Sequence, residues 1–216
     1  MSAASGLRTA MVDTQIAARG IRDADVLRAM REVPRERFVP APLGELAYED
    51  IPLPIEAGQT ISQPYIVAHM IEAAKLSGSD RALEIGAGSG YAAAVMSRVA
   101  GQVYAIERHA ELAELARQRM AALGYANVEI HTGDGTRGWP EAAPFDAILI
   151  AAAGPSIPKP LSRQLAIGGR LVMPVGSAHV QRLVRVTRRG KDGFDRDYLG
   201  DVCFVPLIGT HGWAED

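Results

Sequence analysis

A single cysteine, Cys203, in 216 residues excludes an intramolecular disulfide, a zinc ribbon and a thioredoxin-type motif. Charge is in excess on neither side. Lysines and arginines number 23 against 25 aspartates and glutamates, and the formal net charge of -2 offers no electrostatic attraction to nucleic acid or anionic lipid. No apolar stretch approaches the length of a membrane span, and the opening MSAASGLRTAM lacks the unbroken apolar run of a signal peptide, so a cytoplasmic location is expected. Internal repeats and low-complexity tracts are missing too. His69, His109, His131, His179 and His211 show no paired ligand spacing, and no metal site is expected. What is present suits one α/β domain with a modest extension: 48% hydrophobic residues and 22% charged ones. A chain of this length buries about 70% of its unfolded surface without covalent staples.

Composition divides the chain near Ser77 to Asp80. Residues 1–78 read as a helical, proline-rich extension and residues 79–216 as an α/β core, together one compact unit. Residues 1 to about 6 read as a frayed leader. A helix from about Leu7 to Arg19 stops at Gly20, and a second, capped by Asp23, carries Val26, Leu27, Met30 and Val33 at helical spacing until Pro34. Pro34, Pro40, Pro42, Pro52, Pro54 and Pro64 then predict a stiff loop without regular structure. It ends in Gly58-Gln59-Thr60-Ile61-Ser62-Gln63-Pro64, with Pro64 opening a helix over Ile66, Val67, Met70, Ile71 and Ala74. Thr60, Ser62 and Gln63 sit where side chains and free N–H groups can meet a ligand, although ordinary helix capping accounts for Ser62 as well.

The core alternates strand and helix. Strands are predicted at Arg81 to Ile85, Val103 to Ile106, Val128 to His131, Phe145 to Ile150 and Arg170 to Pro174, with helices at Ala92 to Val99, Ala110 to Leu123 and Leu161 to Ala166. This rhythm implies a doubly wound, mainly parallel sheet. Gln181 to Thr187 and Tyr198 to Val205, with a Gly190 to Gly193 turn and no helix between them, predict an antiparallel pair at its edge.

The strongest chemical signal is Glu84-Ile85-Gly86-Ala87-Gly88-Ser89-Gly90, a strand running into a glycine turn that opens a helix. The next strand ends in Glu107, placed to take both hydroxyls of a ribose. The third ends in Gly133-Asp134-Gly135, with a carboxylate suited to an exocyclic adenine amine. A dinucleotide is the competing cofactor, but the third glycine falls one position early and Glu84 would repel a pyrophosphate. An acid there attracts an amine and a sulfonium, as S-adenosylmethionine carries, and the helix N-terminus accepts its single carboxylate.

This combination resembles the class I methyltransferases, whose seven-stranded sheet ends in an antiparallel hairpin. Further segments resemble the protein-L-isoaspartate O-methyltransferase family: Val33-Pro34-Arg35-Glu36-Arg37-Phe38-Val39-Pro40, Pro52-Leu53-Pro54-Ile55, Gly58 to Pro64, Glu84 to Tyr91, Pro144-Phe145-Asp146, Gly168 to Val172 and Phe204-Val205-Pro206-Leu207. The resemblance covers about residues 11 to 213. It implies methyl transfer from S-adenosylmethionine to the free α-carboxyl of L-isoaspartyl residues in damaged proteins and peptides, a repair reaction continuing through a succinimide towards normal aspartate, by a monomer that binds neither nucleic acid nor membrane. It implies Ser62 as the active-site residue, acting by positioning. Thr60, Ile61, Ser62 and His211 would lie on the acceptor side, and Ser62, Glu84, Gly86, Ala87, Gly88, Gly90, Glu107, Asp134 and Gly135 on the cofactor side. An acceptor carboxylate is already ionised at neutral pH, so the chemistry needs no general base, and Gly58 to Pro64 holds no ionisable side chain.

Ala87, Ala92 and Glu56 depart from the family pattern, and Glu56 would repel an anionic acceptor if it pointed inward. A binder of the cofactor without turnover, or a methyltransferase with another acceptor, is the alternative. A nucleic-acid amino-methyltransferase fits less well, because Ser62-Gln63-Pro64-Tyr65 precedes the glycine turn. Arg182, Arg185, Arg188, Arg189 and Lys191 read as a solvated face of the hairpin. Trp139 and Trp213 read as packing residues.

Overall fold

The computed structural model describes residues 3–177 and 179–215. Met1 and Ser2 of the expected leader lie outside them, whereas residues 4 to 6 are not frayed: helix α1 spans Ala3–Met11. It continues through a π-helical turn at Val12–Ile16 and a 3-10 turn at Ala17–Arg19 to Gly20, whose φ of 106° reverses the chain. Met11, Val12 and Ile16 bury their side chains here, so the wider turn brings successive apolar residues onto one face. Helix α2 (Ala24–Glu32) begins where the Asp23 carboxylate accepts from the N–H groups of Asp25 and Val26 at 2.9 and 3.1 Å.

The proline-rich segment is more regular than expected. Strands β1 (Leu53–Pro54) and β2 (Thr60–Ile61) form a small antiparallel ribbon, and 3-10 turns occupy Arg35–Arg37, Ala41–Leu46 and Glu56–Gly58. Prolines forbid long ladders but permit a two-residue pairing in which Pro54 is the terminal residue. Helix α3 follows at Pro64–Ala74.

The core then runs β3 (Arg81–Ile85), α4 (Tyr91–Met96), β4 (Gln102–Glu107), α5 (Ala110–Leu123), β5 (Val128–Thr132), β6 (Phe145–Ile150), α6 (Lys159–Arg163), β7 (Leu165–Gly176), β8 (Gln181–Arg188) and β9 (Phe194–Val202). Several boundaries differ from expectation: β7 starts five residues before the expected Arg170, and α4 ends at Met96 rather than Val99. The helix predicted over Leu161 to Ala166 starts earlier, with Pro160 in its first turn, and ends at Arg163, because Leu165 pairs with Phe145 of β6. The last strand begins at Phe194 rather than Tyr198 and releases the chain after Val202. There the Gln181 side chain takes over from the backbone ladder: its amide donates to the Phe204 carbonyl at 3.0 Å and its oxygen accepts the Phe204 N–H at 2.7 Å.

The seven-stranded sheet has the order β5-β4-β3-β6-β7-β8-β9. Pairs among the first five strands are parallel, and β8 and β9 join antiparallel. Alternate residues of each strand serve opposite faces. Ala82, Val103, Ala147 and Val172 pack under α3, α4 and α5 in one apolar cluster that also takes in Met11, Met30 and Phe38 of the extension. Leu83, Ile85, Ile148 and Leu171 pack on the other side with Phe145 and Leu161 of α6. Strand order reverses between β3 and β6, and a ligand crevice is expected beyond the carboxyl ends of those strands. Among the described residues no helix is long and apolar enough to cross a membrane.

Candidate active site

A cavity of about 320 Å³ opens at that reversal. Its floor is the glycine turn after β3. Gly86, Gly88 and Gly90 have φ of 86°, 53° and 89°, where an L side chain is strained. At Gly90 space is short as well, since a Cβ would fall 2.8 Å from Met120 Cε of α5. The turn hangs from β4: the N–H groups of Gly86 and Ala87 donate to the Ile106 carbonyl at 2.8 and 3.2 Å.

Two buried carboxylates face this cavity. Glu107 accepts from the Gly88 N–H at 2.8 Å through one oxygen and from the His109 N–H at 2.9 Å through the other. Glu84, 2% exposed, has no hydrogen-bond partner for Oε2. Burial, reinforced by the Glu107 charge, pushes its carboxyl well above the usual range. An orphaned acceptor on a residue that lines a cavity calls for a cationic or donor group, and a second carboxylate alongside disfavours an anion. The two carboxylates therefore fit the amine and sulfonium of S-adenosylmethionine and oppose a pyrophosphate. Gly135 lines the same wall, and a Cβ there would overlap Ile85 Cγ2.

Gly58, Gln59, Thr60, Ile61 and Ser62 form the opposite wall. Ser62 makes no side-chain hydrogen bond among the described residues, so capping does not occupy it. Val67, Tyr91, Ala151 and Leu207 also line the cavity, as do Arg108 and His109 next to Glu107, and the sequence had marked none of them as a site residue. Tyr91 is buried, its ring centroid 5.6 Å from that of Phe38 in an edge-to-face pair and the Arg35 guanidinium 4.9 Å from its centroid; burial raises its hydroxyl to about 12.

Two expected site residues, Asp134 and His211, lie outside the cavity lining, and so does Glu56. Asp134 does not line the cavity. Its carboxylate accepts from the N–H and hydroxyl of Thr136 at 2.9 and 2.6 Å and from the Thr210 N–H at 2.9 Å, which anchors the C-terminal segment. Burial opposes ionisation there, but these bonds outweigh it and hold the carboxyl down to about 2. His211 lies in a separate surface depression with Lys159 and Arg163. Glu56 also avoids the cavity: it faces Arg119 of α5 at 3.6 Å, and Arg119 in turn donates to the Ser89 carbonyl at 3.2 Å. The feared repulsion of an anionic acceptor is thereby directed away from the lining. The hairpin arginines are paired too, Arg185 with Asp197 at 2.8 Å and Arg189 with Asp195 at 2.6 Å, as a solvated face requires.

A crevice acidic at the place where a dinucleotide fold meets its pyrophosphate puts the protein among the class I S-adenosylmethionine-dependent methyltransferases. The model of the Protein-L-isoaspartate(D-aspartate) O-methyltransferase family matches residues 7–212. The chain belongs to that family. It is 61% identical over 206 residues, 95% of this chain and 94% of the relative, to a protein-L-isoaspartate O-methyltransferase of Rhodopseudomonas palustris. Over 208 residues it is 62% identical to one of Methylorubrum extorquens, covering 96% and 91% of the two chains. A crystal structure described as that enzyme from Plasmodium falciparum, in complex with S-adenosyl-L-homocysteine, matches with TM-score 0.79 at 27% identity over 93% of this chain and 98% of the other. A further solved protein-L-isoaspartate O-methyltransferase matches with TM-score 0.84 at 31% identity over 94% and 67%.

Proposed function

We infer that the chain repairs proteins by methylating the free α-carboxyl of L-isoaspartyl residues, with Ser62 as the residue that positions the acceptor. When bound, S-adenosylmethionine supplies an electrophilic methyl group on a positively charged sulfur. Glu84 and Glu107 hold the cationic and ribose parts of that cofactor, and Gly86, Ala87, Gly88, Gly90 and Gly135 let its remaining atoms approach backbone. Thr60, Ile61 and Ser62, carried by the 1–78 extension, form the acceptor side. The Ser62 hydroxyl donates to the incoming carboxylate and orients one oxygen; it takes no proton, because the acceptor is already an anion. Val67, Tyr91, Ala151 and Leu207 exclude water, and alignment of this kind is worth at most about 7–11 kcal/mol. His211 touches the polypeptide flanking the isoaspartyl residue, and Asp134 serves the cofactor side by holding Thr210 in place. A monomer acting in the cytoplasm on polypeptides rather than nucleic acid completes the reading, supported by the paired arginines of the hairpin.

The observation that carries it is the Ser62 hydroxyl, unpartnered among the described residues, across one cavity from two buried carboxylates. The test incubates the protein with methyl-labelled S-adenosylmethionine and two peptides differing only in L-isoaspartate or aspartate at one position. Base-labile label on the isoaspartyl peptide alone is expected. Label on neither peptide, with cofactor binding intact, would leave a non-catalytic binder or another acceptor.

A further inference from the structure

Ser62 is held without being used. On its N-terminal side Ile61 is fixed by pairing with Leu53, and Thr60 by pairing with Pro54. On its C-terminal side Gln63, the residue preceding α3, gives no side-chain cap to the helix. One carboxylate from the proline-rich segment does that work instead. Asp50 Oδ1 accepts the Tyr65 N–H at 2.9 Å, satisfying one of the first-turn donors a helix leaves open. Its Oδ2 accepts from the Gln63 side-chain amide at 2.6 Å and is ion-paired with Arg19. Arg19 also lies over the Tyr65 ring, 3.6 Å from its centroid. Asp50 is only 15% exposed.

Gln63 holds the N-cap position without capping, which leaves the first-turn N–H groups open to a nearby oxygen such as the Ser62 hydroxyl. Here a residue 15 positions before Tyr65 in sequence supplies the cap, and it grips the chain immediately beyond Ser62 as well. We propose that Asp50 is the positioning residue of the acceptor site: by capping α3 and binding Gln63, it leaves the Ser62 hydroxyl free and holds it on the cavity wall. This rests on Ser62 orienting the acceptor. Asp50 touches neither substrate nor cofactor and acts through Ser62.

The experiment compares Asp50→Ala, Asp50→Asn, Ser62→Ala and the Asp50→Ala/Ser62→Ala double variant with an isoaspartyl peptide. Asp50→Ala lowers kcat/KM by about tenfold or more, since small misplacements of reacting groups carry penalties of that order. The loss appears in kcat and in acceptor KM, while affinity for S-adenosylhomocysteine stays within about twofold. Asp50→Asn, which keeps an acceptor for the Tyr65 N–H but loses the charge facing Arg19, restores part of the rate. In the Ser62→Ala background Asp50→Ala costs little more, as coupled groups require. A folded Asp50→Ala protein with wild-type kinetics overturns the proposal, and so does full additivity in the double variant. Wild-type activity in Ser62→Ala would instead overturn the acceptor reading. The cap is then judged by hydrogen exchange of the Tyr65 N–H, which loses protection in Asp50→Ala; wild-type protection there refutes it without reference to catalysis.

Discussion

Glu84 and Glu107 lie at the ends of adjacent parallel strands and face one cavity, but only Glu107 has both oxygens bonded to backbone N–H groups. Glu84 keeps Oε2 unpartnered and 2% of its surface exposed. The pair thus differs in its bonding: one carboxylate ties the glycine turn to the start of α5, and the other keeps an oxygen without a partner.

A pH dependence follows for Glu84. Its carboxyl is raised by burial, then by Glu107, so the folded cofactor-free protein retains a proton that the unfolded chain has lost. This contribution is fully present below the unfolded carboxylate value and is lost as pH rises through the raised one. Calorimetry should show the apo-protein's Tm falling over that rise, and Glu84→Gln should flatten the slope. Titration calorimetry should show the same variant binding S-adenosylmethionine about tenfold or more weakly, the scale of a hydrogen bond to a charged group. Unchanged slope and affinity would contradict this role.

Glu107 should grade differently. Glutamine retains one acceptor oxygen for the N–H of Gly88 or His109, whereas alanine frees both. Dissociation constants for S-adenosylhomocysteine are expected to rise from wild type through Glu107→Gln to Glu107→Ala, and equal values for the two variants would separate Glu107 from the glycine turn.

Gly135→Ala forces a Cβ from the 3-10 turn after β5 against Ile85 Cγ2 at the end of β3. Overpacking of this kind costs about 1–3 kcal/mol, or about 2–4 °C in Tm per kcal/mol for a chain of this size. Because Ile85 and Gly135 line the same cavity, cofactor affinity should fall with stability. A wild-type Tm would show that the strand ends yield more readily than the geometry allows.

The C-terminal segment should detach in acid. The Asp134 carboxyl is depressed to about 2 despite partial burial, so the stabilisation is present above the ordinary aspartate range and is lost as pH falls towards 2. Trp213, whose indole N–H donates to the Ala153 carbonyl at 3.0 Å, reports the release by fluorescence. Asp134→Ala should show the released signal at neutral pH, along with faster exchange of the Thr210 N–H.

Much of the site was readable in order along the chain. Each cofactor-side element consists of a strand end and the residues next to it, so periodicity and glycine spacing located the Gly86 to Gly90 turn and Glu107 directly. Gly135 was found for the same reason. That its neighbour Asp134 also binds Thr210 was not legible, because Thr210 lies 76 residues away. Leu161 to Ala166 misled because two leucines four apart suit a helix and a strand equally, and only the pairing of Leu165 with Phe145 separates them.

The order of elements, the parallel core, the antiparallel tail and the acidic glycine crevice are determined by local patterns that any seven- to twenty-residue window contains. Whether the Ser62 side chain caps the helix, and whether Glu56 lines the cavity, was decided by the tertiary structure alone. A helix N-terminus accepts any nearby oxygen, and a carboxylate takes any nearby cation. Folding brought Asp50 to the first turn of α3 and Arg119 to Glu56, partners 15 and 63 residues away in sequence that no local pattern contains.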